Sequence, residues 1–191
     1  MESSRRKVLV MLSGGCESTS YLCQAVKAGH DVSALHVCFS NHSQQELEAC
    51  EFICEALNVH LDIFEFGDNP SSSHVNQIQD TWYWLMPAII EAAKRDVDEV
   101  WFGIHGDDNI PQMYEVEDLF SEGLKLTGHY PKTSLVAPWW NLSKQELYNR
   151  IDVDIRPYIV YCTLNEGMPC EECGKCREWQ KFVKDAEQKV H

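Results

Sequence analysis

Short apolar runs that alternate with amphipathic helical stretches are the feature that most constrains the fold of this chain. Residues 7–12 form a nearly continuous apolar run, typical of a strand buried on both faces of a sheet. Residues 43–57 instead repeat apolar side chains at intervals of three and four, the period of a helix. Alternation of this kind predicts an α/β, Rossmann-like fold, a parallel sheet with helices on both faces.

The same patterns, together with turn residues, predict the element boundaries. The predicted strands are 7–12, 32–38, 59–64, 99–104 and 134–137, and the predicted helices are 18–28, 43–57, 80–95, 115–126, 143–151 and 176–188. Residues 67–79 are polar and read as a long loop. Pro87 predicts a kink or a later start for the third helix.

The composition narrows the classes of function that fit the chain. Thirty acidic residues against 16 basic ones give a formal net charge of −14 over 191 residues. Such a chain is a poor general binder of nucleic acids or anionic membranes, because Lys and Arg make those contacts. No apolar run approaches the ~18 residues of a membrane helix, and no signal peptide is recognised, so a cytoplasmic protein is expected.

A glycine-containing turn with the sequence SGGCES occupies residues 13–18, between the first predicted strand and the first predicted helix. Glycine lets the backbone approach a ligand closely, and the start of a helix offers N–H groups without intrahelical partners. The turn is therefore a candidate phosphate cradle that needs few cations. The alternative is a tight strand-to-helix connection that binds no ligand.

Cysteines crowd into the C-terminal part of the chain, at Cys162, Cys170, Cys173 and Cys176. Thiolates two residues apart can share one metal ion, and four of them complete the tetrahedral shell of a structural Zn²⁺. An iron–sulfur cluster is the main alternative, followed by a redox pair or free thiols. We therefore expect a nucleotide-binding α/β domain over residues 1–152, with a small zinc-binding segment and a C-terminal helix over residues 153–191.

The turn at residues 13–18 resembles the Ser-Gly-Gly-x-Asp-Ser loop of the ATP pyrophosphatase (PP-loop) superfamily. Enzymes of that superfamily cleave ATP between its α- and β-phosphates and adenylate a substrate oxygen. The resemblance implies an adenine nucleotide alpha hydrolase type of fold and binding of ATP with Mg²⁺. The residues implied for ATP binding are Leu12, Ser13, Gly14, Gly15, Cys16, Glu17 and Ser18.

The loop and the C-x7-C-x2-C-x2-C spacing together make the chain similar to the 7-cyano-7-deazaguanine synthase family, from about Lys7 to Arg177. The stretch APWWNLSKQE at residues 137–146 resembles that family's Thr-Pro-Leu-x-x-Leu-(Ser/Thr)-Lys-x-Glu segment. The family uses ATP to convert 7-carboxy-7-deazaguanine and ammonia, through an amide, into the nitrile used for queuosine biosynthesis and nucleic-acid modification.

Several positions depart from the family pattern. Glu17 stands where the family has Asp, and His42 or Ser43 replaces a basic residue of the second loop. Residues 79–82 and 109–115 also differ from the family's substrate loops. The chain thus keeps the ATP loop and the cysteines of the family pattern but differs in the segments that correspond to the family's substrate loops. This pattern favours a diverged member that joins the acid to another amine, such as a protein amine, as in paralogs from antiviral operons.

The resemblance also suggests roles for individual residues. Catalytic roles are implied for Glu17, Lys144 and Asp108. Lys144 would contact phosphates, and Glu17 or Asp108 would offer oxygen ligands to Mg²⁺. Candidate substrate contacts are His42, His105 and Trp82. The histidines would transfer protons or touch substrate, and the indole would stack on a purine-like ring. Each of these side chains has a structural alternative, on the surface, in a turn or in the core.

The sequence therefore predicts an ATP-dependent ligase that acts on a small deazapurine acid, with ammonia or a protein amine as acceptor, and leaves a homodimer open. A nucleotide-binding regulatory protein without turnover is one alternative, which the change to Glu17 would suit. Another PP-loop enzyme, such as a tRNA thiolase, is the second alternative. A net charge of −14 and the lack of a cysteine pair evident outside the cluster argue against the thiolase.

Overall fold

The computed structural model describes residues 5–39, 44–67, 77–105, 111–128, 132–161, 170–173, 176–177 and 179–180. The strands are β1 (Lys7–Met11), β2 (Asp31–Phe39), β3 (His60–Phe66), β4 (Glu99–Phe102) and β5 (Ser134–Val136). The helices are α1 (Cys16–Lys27), α2 (Gln44–Leu57), α3 (Gln77–Arg95), α4 (Pro111–Leu126) and α5 (Lys144–Asn149), followed by a 3-10 turn at Arg156–Tyr158.

The five strands form one parallel sheet in the order β3-β2-β1-β4-β5. The chain moves outward from β1 to β3 and then returns to the other side of β1 as β4. The carboxyl ends of β1 and β4 therefore flank the point where the strand order reverses, and ligands of open α/β sheets bind at such points. The predicted parallel α/β fold is confirmed.

Helices cover both faces of the sheet, as the alternation of side chains along β2 and β3 shows. His36 of β2 meets Cys50 of α2, with its Nδ1 3.4 Å from the thiol sulfur. Asp62 of β3 pairs in register with Leu35, the neighbour of His36, and forms an ion pair with Arg95 of α3. Because neighbouring residues of a strand point to opposite faces, α2 and α3 lie on opposite sides. Helices α1 and α5 join the side of α2, and α4 packs on α3.

The central strand explains why the first apolar run is nearly continuous. Val8, Leu9 and Val10 are fully buried, because β1 has a strand on each edge and a helix layer on each face. Within the described residues, none of the helices has an apolar stretch long enough to cross a bilayer.

Some helix boundaries differ from those predicted. Helix α1 begins at Cys16, two residues before the predicted start, because Gly15 already has the extended backbone of an N-cap. Helix α3 begins at Gln77, within the predicted loop, and it runs through Pro87. Helix α4 begins at Pro111, whose fixed φ suits a first helical turn. Most of the predicted helix 176–188 lies outside the described residues.

Candidate active site

The turn after β1 leaves the sheet and enters α1 within a few residues. Leu12 still belongs to the sheet, since its N–H donates to the Leu35 carbonyl at 2.8 Å. Gly14 has a positive φ of 74°, a conformation that residues with a side chain rarely adopt. A Cβ there would lie 3.3 Å from the Glu46 carbonyl oxygen in α2. Backbone conformation and packing on α2 therefore both require glycine at this position, whether or not a ligand binds.

Two serines close the turn through their hydroxyl groups. The Ser13 N–H donates to the Ser18 hydroxyl at 3.2 Å, and the two hydroxyl oxygens lie 3.1 Å apart. Ser18 also donates to the Gly15 carbonyl at 3.3 Å, while the Gly15 N–H donates to the Ser13 hydroxyl at 3.4 Å. The turn is thus organised around the start of α1, where the first N–H groups have no carbonyl partner within the helix. Such N–H groups can donate hydrogen bonds to phosphate oxygens.

Gly103, the residue directly after β4, supports the start of α1 from behind. A Cβ at this position would lie 2.6 Å from the Ser18 nitrogen and 2.8 Å from the Glu17 carbonyl carbon. Both are backbone atoms, so a side chain here would displace the helix itself. The absence of a side chain lets the start of α1 sit directly against the end of β4.

Three titratable side chains that are distant in the sequence meet beside this turn. The Glu17 carboxylate Oε1 lies 3.1 Å from Lys144 Nζ and 3.5 Å from His105 Nε2. The exposed fractions of these side chains are 20% for Glu17, 19% for Lys144 and 15% for His105. Water therefore screens their charges less than those of a surface pair. The structure brings together three of the residues that the sequence singled out.

Helix α5 positions Lys144 through a capping box at its start. The Glu146 N–H donates to the Ser143 hydroxyl at 3.3 Å, and the Ser143 N–H donates to the Glu146 carboxylate at 2.9 Å. Hydrogen bonds from the Ser143 hydroxyl and backbone N–H lower the pKa of the Glu146 carboxyl. The Gln24 side chain of α1 donates to the Arg150 carbonyl at 3.0 Å, which joins the two helices. Lys144 is thereby fixed as the first residue of α5, beside the start of α1.

The segment that follows the 3-10 turn reaches back to the glycine turn. The Val160 N–H donates to the Gly14 carbonyl at 2.9 Å. Ile159, its neighbour, is buried against the apolar core. A part of the chain that precedes the cysteine cluster therefore contacts the candidate phosphate cradle.

The described part of the cysteine cluster is compact. The sulfur atoms of Cys170, Cys173 and Cys176 all lie within 4.8 Å of one another. The Cys170 and Cys176 sulfurs are 3.8 Å apart, well beyond the ~2.05 Å of a disulfide bond. The N–H groups of Cys173 and Cys176 each approach the preceding thiol of the cluster at 3.3 Å. These three soft donors, aimed at one volume, can hold a metal ion.

Four cysteines outside the cluster have thiols whose pKa is raised by burial. Burial raises the pKa of Cys23 and Cys50, and it raises that of Cys54 to about 12. Burial, reinforced by Glu65 and Glu46, also raises the pKa of the Cys38 thiol. These thiols stay protonated at neutral pH, and a thiol is a weak nucleophile and a poor metal ligand until it loses its proton.

Some of the predicted site residues cannot be placed. Asp108, His42 and Cys162 lie outside the described residues, and so does the side chain of Trp82. Their predicted roles in catalysis, substrate contact and metal binding stay predictions. The same holds for the chemical roles of Glu17, Lys144 and His105, although their side chains meet at one place.

Sequence reasoning missed two contributors to the site. Gly103 carried a weak signal, a glycine where an apolar strand ends, but its contact with α1 depends on the crossing of two elements. Val160 contributes only its backbone N–H, so the identity of its side chain gives no sign of the contact with Gly14.

Comparison with known proteins gives a consistent result. A family model described as queuosine biosynthesis protein QueC matches residues 7–79. The 7-cyano-7-deazaguanine synthase of Marinomonas sp. is 24% identical to this chain, over 90% of each protein. The 7-cyano-7-deazaguanine synthase 2 of Colwellia psychrerythraea is 25% identical, over 91% of each.

Two solved structures share the fold. The U34-tRNA thiolase NcsA from Methanococcus maripaludis, described with its [4Fe-4S] cluster, superposes with a TM-score of 0.54 at 16% identity. That match covers 99% of this chain and 68% of the thiolase. The NMN synthetase from Francisella tularensis gives a TM-score of 0.52 at 19% identity, covering 95% of this chain and 77% of the synthetase. The sequence matches show that the chain is similar to 7-cyano-7-deazaguanine synthases, and the two superpositions show that it shares the fold of these structures.

Proposed function

We propose that this chain is an ATP-dependent ligase that adenylates the carboxylate of a 7-carboxy-7-deazaguanine-like substrate and transfers the acyl group to an amine. Similarity to the synthases supports ATP-dependent formation of a carbon–nitrogen bond in general. The observation that carries the proposal is the meeting of Glu17, Lys144 and His105 beside the turn at residues 13–18. This meeting point lies where ligands of such sheets bind.

The chemistry explains why ATP is needed. A carboxylate oxygen is a poor leaving group, so an amine cannot displace it directly. Attack of that oxygen on the α-phosphorus releases pyrophosphate and leaves an acyl-adenylate. The amine then attacks the acyl carbon, loses a proton and expels AMP, which gives the amide. With ammonia as the amine, a second ATP can activate the amide oxygen, and loss of AMP and a proton gives the nitrile.

The residues of the site suit this sequence of steps. The N–H groups at the start of α1 would bind the phosphates that become pyrophosphate, and they need no reorganisation because Ser13 and Ser18 already fix the turn. Lys144 would offset the charge that develops on the leaving pyrophosphate. Its neighbour Glu17 carries a carboxylate that could hold a divalent cation, and that cation would offset repulsion between the carboxylate and the phosphates.

Carboxylate oxygen is the ligand type that Mg²⁺ prefers, so the Glu17 side chain fits that role, and Asp108 is the second predicted ligand. When bound, Mg²⁺ would neutralise phosphate charge and polarise the phosphorus for attack. Substrate contacts remain assigned to His42, His105 and Trp82. The departures from the family pattern at residues 79–82 and 109–115 support a change of acceptor, and a protein amine is the acceptor that we propose beside ammonia.

The cysteine cluster supports a structural zinc ion with Cys162 as the fourth ligand. Two thiolates on one tetrahedral Zn²⁺, each at ~2.3 Å, stand about 3.8 Å apart by tetrahedral geometry. The Cys170 and Cys176 sulfurs lie 3.8 Å apart. In a cubane cluster each cysteine binds a different iron, so the width of the cluster would separate the sulfurs further. The proposal keeps the predicted division into residues 1–152 and the zinc-binding segment 153–191.

The test incubates purified protein with MgATP, 7-carboxy-7-deazaguanine and ammonium, and measures AMP, pyrophosphate and the deazapurine product. We expect AMP and pyrophosphate in equal amounts, dependent on the acid, with amide or nitrile as product. Lys144→Gln should lower this turnover at least tenfold. Lys125→Gln is the matched control, because Lys125 is 56% exposed and pairs with Glu122 on the surface of α4.

The remaining outcomes separate the alternatives. ATP binding without any AMP, with ammonium and with a set of protein amines, would point to a regulatory protein and contradict the proposal. AMP release that requires tRNA rather than the deazapurine acid would point to another PP-loop activity. AMP release with protein amines alone would identify the acceptor as a protein.

A further inference from the structure

We infer that the segment 159–161 is a positioning element for the ATP loop, so that the affinity for ATP depends on the metal in the cysteine cluster. This inference rests on the proposed binding of ATP at residues 13–18. It concerns a chain of contacts that runs from the cysteines to the Gly14 carbonyl.

The first link is the hydrogen bond from the Val160 N–H to the Gly14 carbonyl, at 2.9 Å. Gly14 has a φ of 74°, so the backbone at this residue is in the left-handed region. The peptide bond between Gly14 and Gly15 is planar, and holding its carbonyl on one side therefore fixes its N–H on the other. That N–H, on Gly15, approaches the Ser13 hydroxyl inside the turn at 3.4 Å. Val160 thus sets the direction of a donor in the cradle.

The second link anchors the residue next to Val160. The Tyr161 ring stacks on the Trp179 indole, with centroids 4.6 Å apart and an interplanar angle of 14°. Trp179 is only 8% exposed, and it also packs edge-on against Tyr148 of α5, at 5.2 Å. Three aromatic rings therefore join the segment 159–161 to the C-terminal part of the chain.

The third link is the cluster itself. Trp179 follows Cys176 by three residues, and Cys176 is fully buried. A metal ion shared by Cys170, Cys173 and Cys176 would fix the position of this short stretch, and with it the indole that holds Tyr161. Removal of the metal would remove its restraint on this stretch, and Trp179 would be held less firmly.

Val160 allows a test with a matched control. Val160→Pro removes the N–H and therefore the hydrogen bond to Gly14. The preceding residue, Ile159, has a ψ of 124°, which is compatible with a following proline. Val160→Ala also removes the branched side chain but keeps the N–H. The comparison of these two variants isolates the hydrogen bond.

The first measurement is the affinity for MgATP by calorimetry, without the second substrate. Each protein is measured twice, once with one equivalent of zinc and once after a chelator has removed the metal. The chelator is dialysed away before the measurement. Removal of zinc should weaken binding by the original protein and by Val160→Ala about fivefold to tenfold, and added zinc should restore it. Val160→Pro should bind about fivefold to tenfold more weakly when loaded with zinc. It should lose little more when stripped, because the link is already broken.

Two results would overturn the inference. One is equal affinity of Val160→Pro and Val160→Ala in the presence of zinc. The other is an equal loss in both variants on removal of zinc, which would mean that the metal acts by another route. If Val160→Pro does not fold by circular dichroism, the pair Trp179→Leu and Trp179→Phe replaces it. In that pair only the leucine variant should behave as the stripped protein does.

Hydrogen exchange of the Gly15 amide separates failure of this inference from failure of the proposed function. If no variant binds ATP, the proposed function fails, but the Gly15 amide should still exchange faster in Val160→Pro than in Val160→Ala. Equal exchange rates would contradict the positioning role, even in a protein that binds ATP.

Discussion

Glu17 carries one methylene more than the aspartate found at this position in the family's loop. The additional length matters here, because one carboxylate oxygen comes within 3.1 Å of Lys144 and within 3.5 Å of His105. A side chain one methylene shorter would reach less far towards both partners from the same backbone position. Glutamate in place of aspartate therefore keeps the charge of the carboxylate and brings it closer to Lys144 and His105.

This geometry predicts different results for two substitutions of Glu17. Glu17→Gln removes the charge that balances Lys144 and would bind Mg²⁺, so we expect a loss of AMP release well above tenfold. Glu17→Asp keeps the charge, and its activity should stay within about tenfold, which corresponds to ~1.4 kcal/mol. The measurement is AMP release at saturating MgATP.

A glutamate on α4 provides the control for this pair of variants. Glu122 is 69% exposed and pairs with Lys125 one turn along the same helix, so Glu122→Gln should release AMP as the original protein does. Near-native AMP release by Glu17→Gln, alongside this control, would remove Glu17 from the active site.

Gly103 gives a second prediction at the scale of one residue. In Gly103→Ala the new methyl group would meet the backbone of Glu17 and Ser18 at less than 3.0 Å, so the start of α1 must move. We expect a loss of about 1–3 kcal/mol in the free energy of unfolding, the usual cost of overpacking, together with weaker ATP binding. Gly67→Ala is the control, since a Cβ there meets nothing within 4 Å. Equal melting temperatures and ATP affinities of the two variants would show that α1 does not depend on this contact.

Among the elements, α5 depends on its cap, and this dependence should be visible in pH titrations. The pKa of Glu146 is lowered in the folded protein, so its contribution to stability is present above the ordinary carboxyl range and is lost as the pH falls through the lowered value. Glu146→Ala should therefore lower the melting temperature at neutral pH and have little effect at strongly acidic pH. Glu122→Ala should show no comparable change with pH, and a Glu146→Ala effect that persists in acid would contradict the assignment.

The sequence predicted elements best where a single periodic signal dominates. The run that became β1 was read correctly, because its signal depends on neighbouring residues alone. The start of α3 was placed too late, because its first residues, such as Gln77, are polar and show no apolar stripe. Local pattern gives no reason to extend a helix into such residues, and Pro87 argued in the same direction.

At the scale of the whole molecule, one substitution can test the proposed metal ion of the cysteine cluster. Cys173→Ser replaces a soft thiolate by a weak ligand and leaves the remaining cysteines unable to close a tetrahedral shell. We expect loss of zinc by elemental analysis and a lower melting temperature. Cys38→Ser is the control, because that thiol lies far from the cluster in sequence and burial keeps its pKa high. Unchanged zinc content in Cys173→Ser would count against a shared metal ion.

At this scale the sequence predicted which residues belong to the site better than it predicted the contacts between them. Glu17 was identified from a loop motif and Lys144 from the start of a helix. Neither motif predicts that the two side chains are in contact. The Val160 contact with Gly14 has no signal at all, since a backbone N–H is common to nearly every residue. Contacts between distant elements depend on how the helices pack on the sheet, and local pattern does not encode that packing.

The placement of β1 at the centre of the sheet has a consequence for biosynthesis. The glycine turn leaves the ribosome early, with β1, whereas Lys144 and Val160 follow only after all five strands have been made. The half of the sheet formed by β1, β2 and β3 needs only connections between successive strands, but the pairing of β1 with β4 must close a much longer loop. A nascent chain that ends after β3 should therefore show protected strands and no affinity for ATP. Nucleotide binding would then begin only after synthesis has passed Val160, and a shorter nascent chain would not compete for ATP.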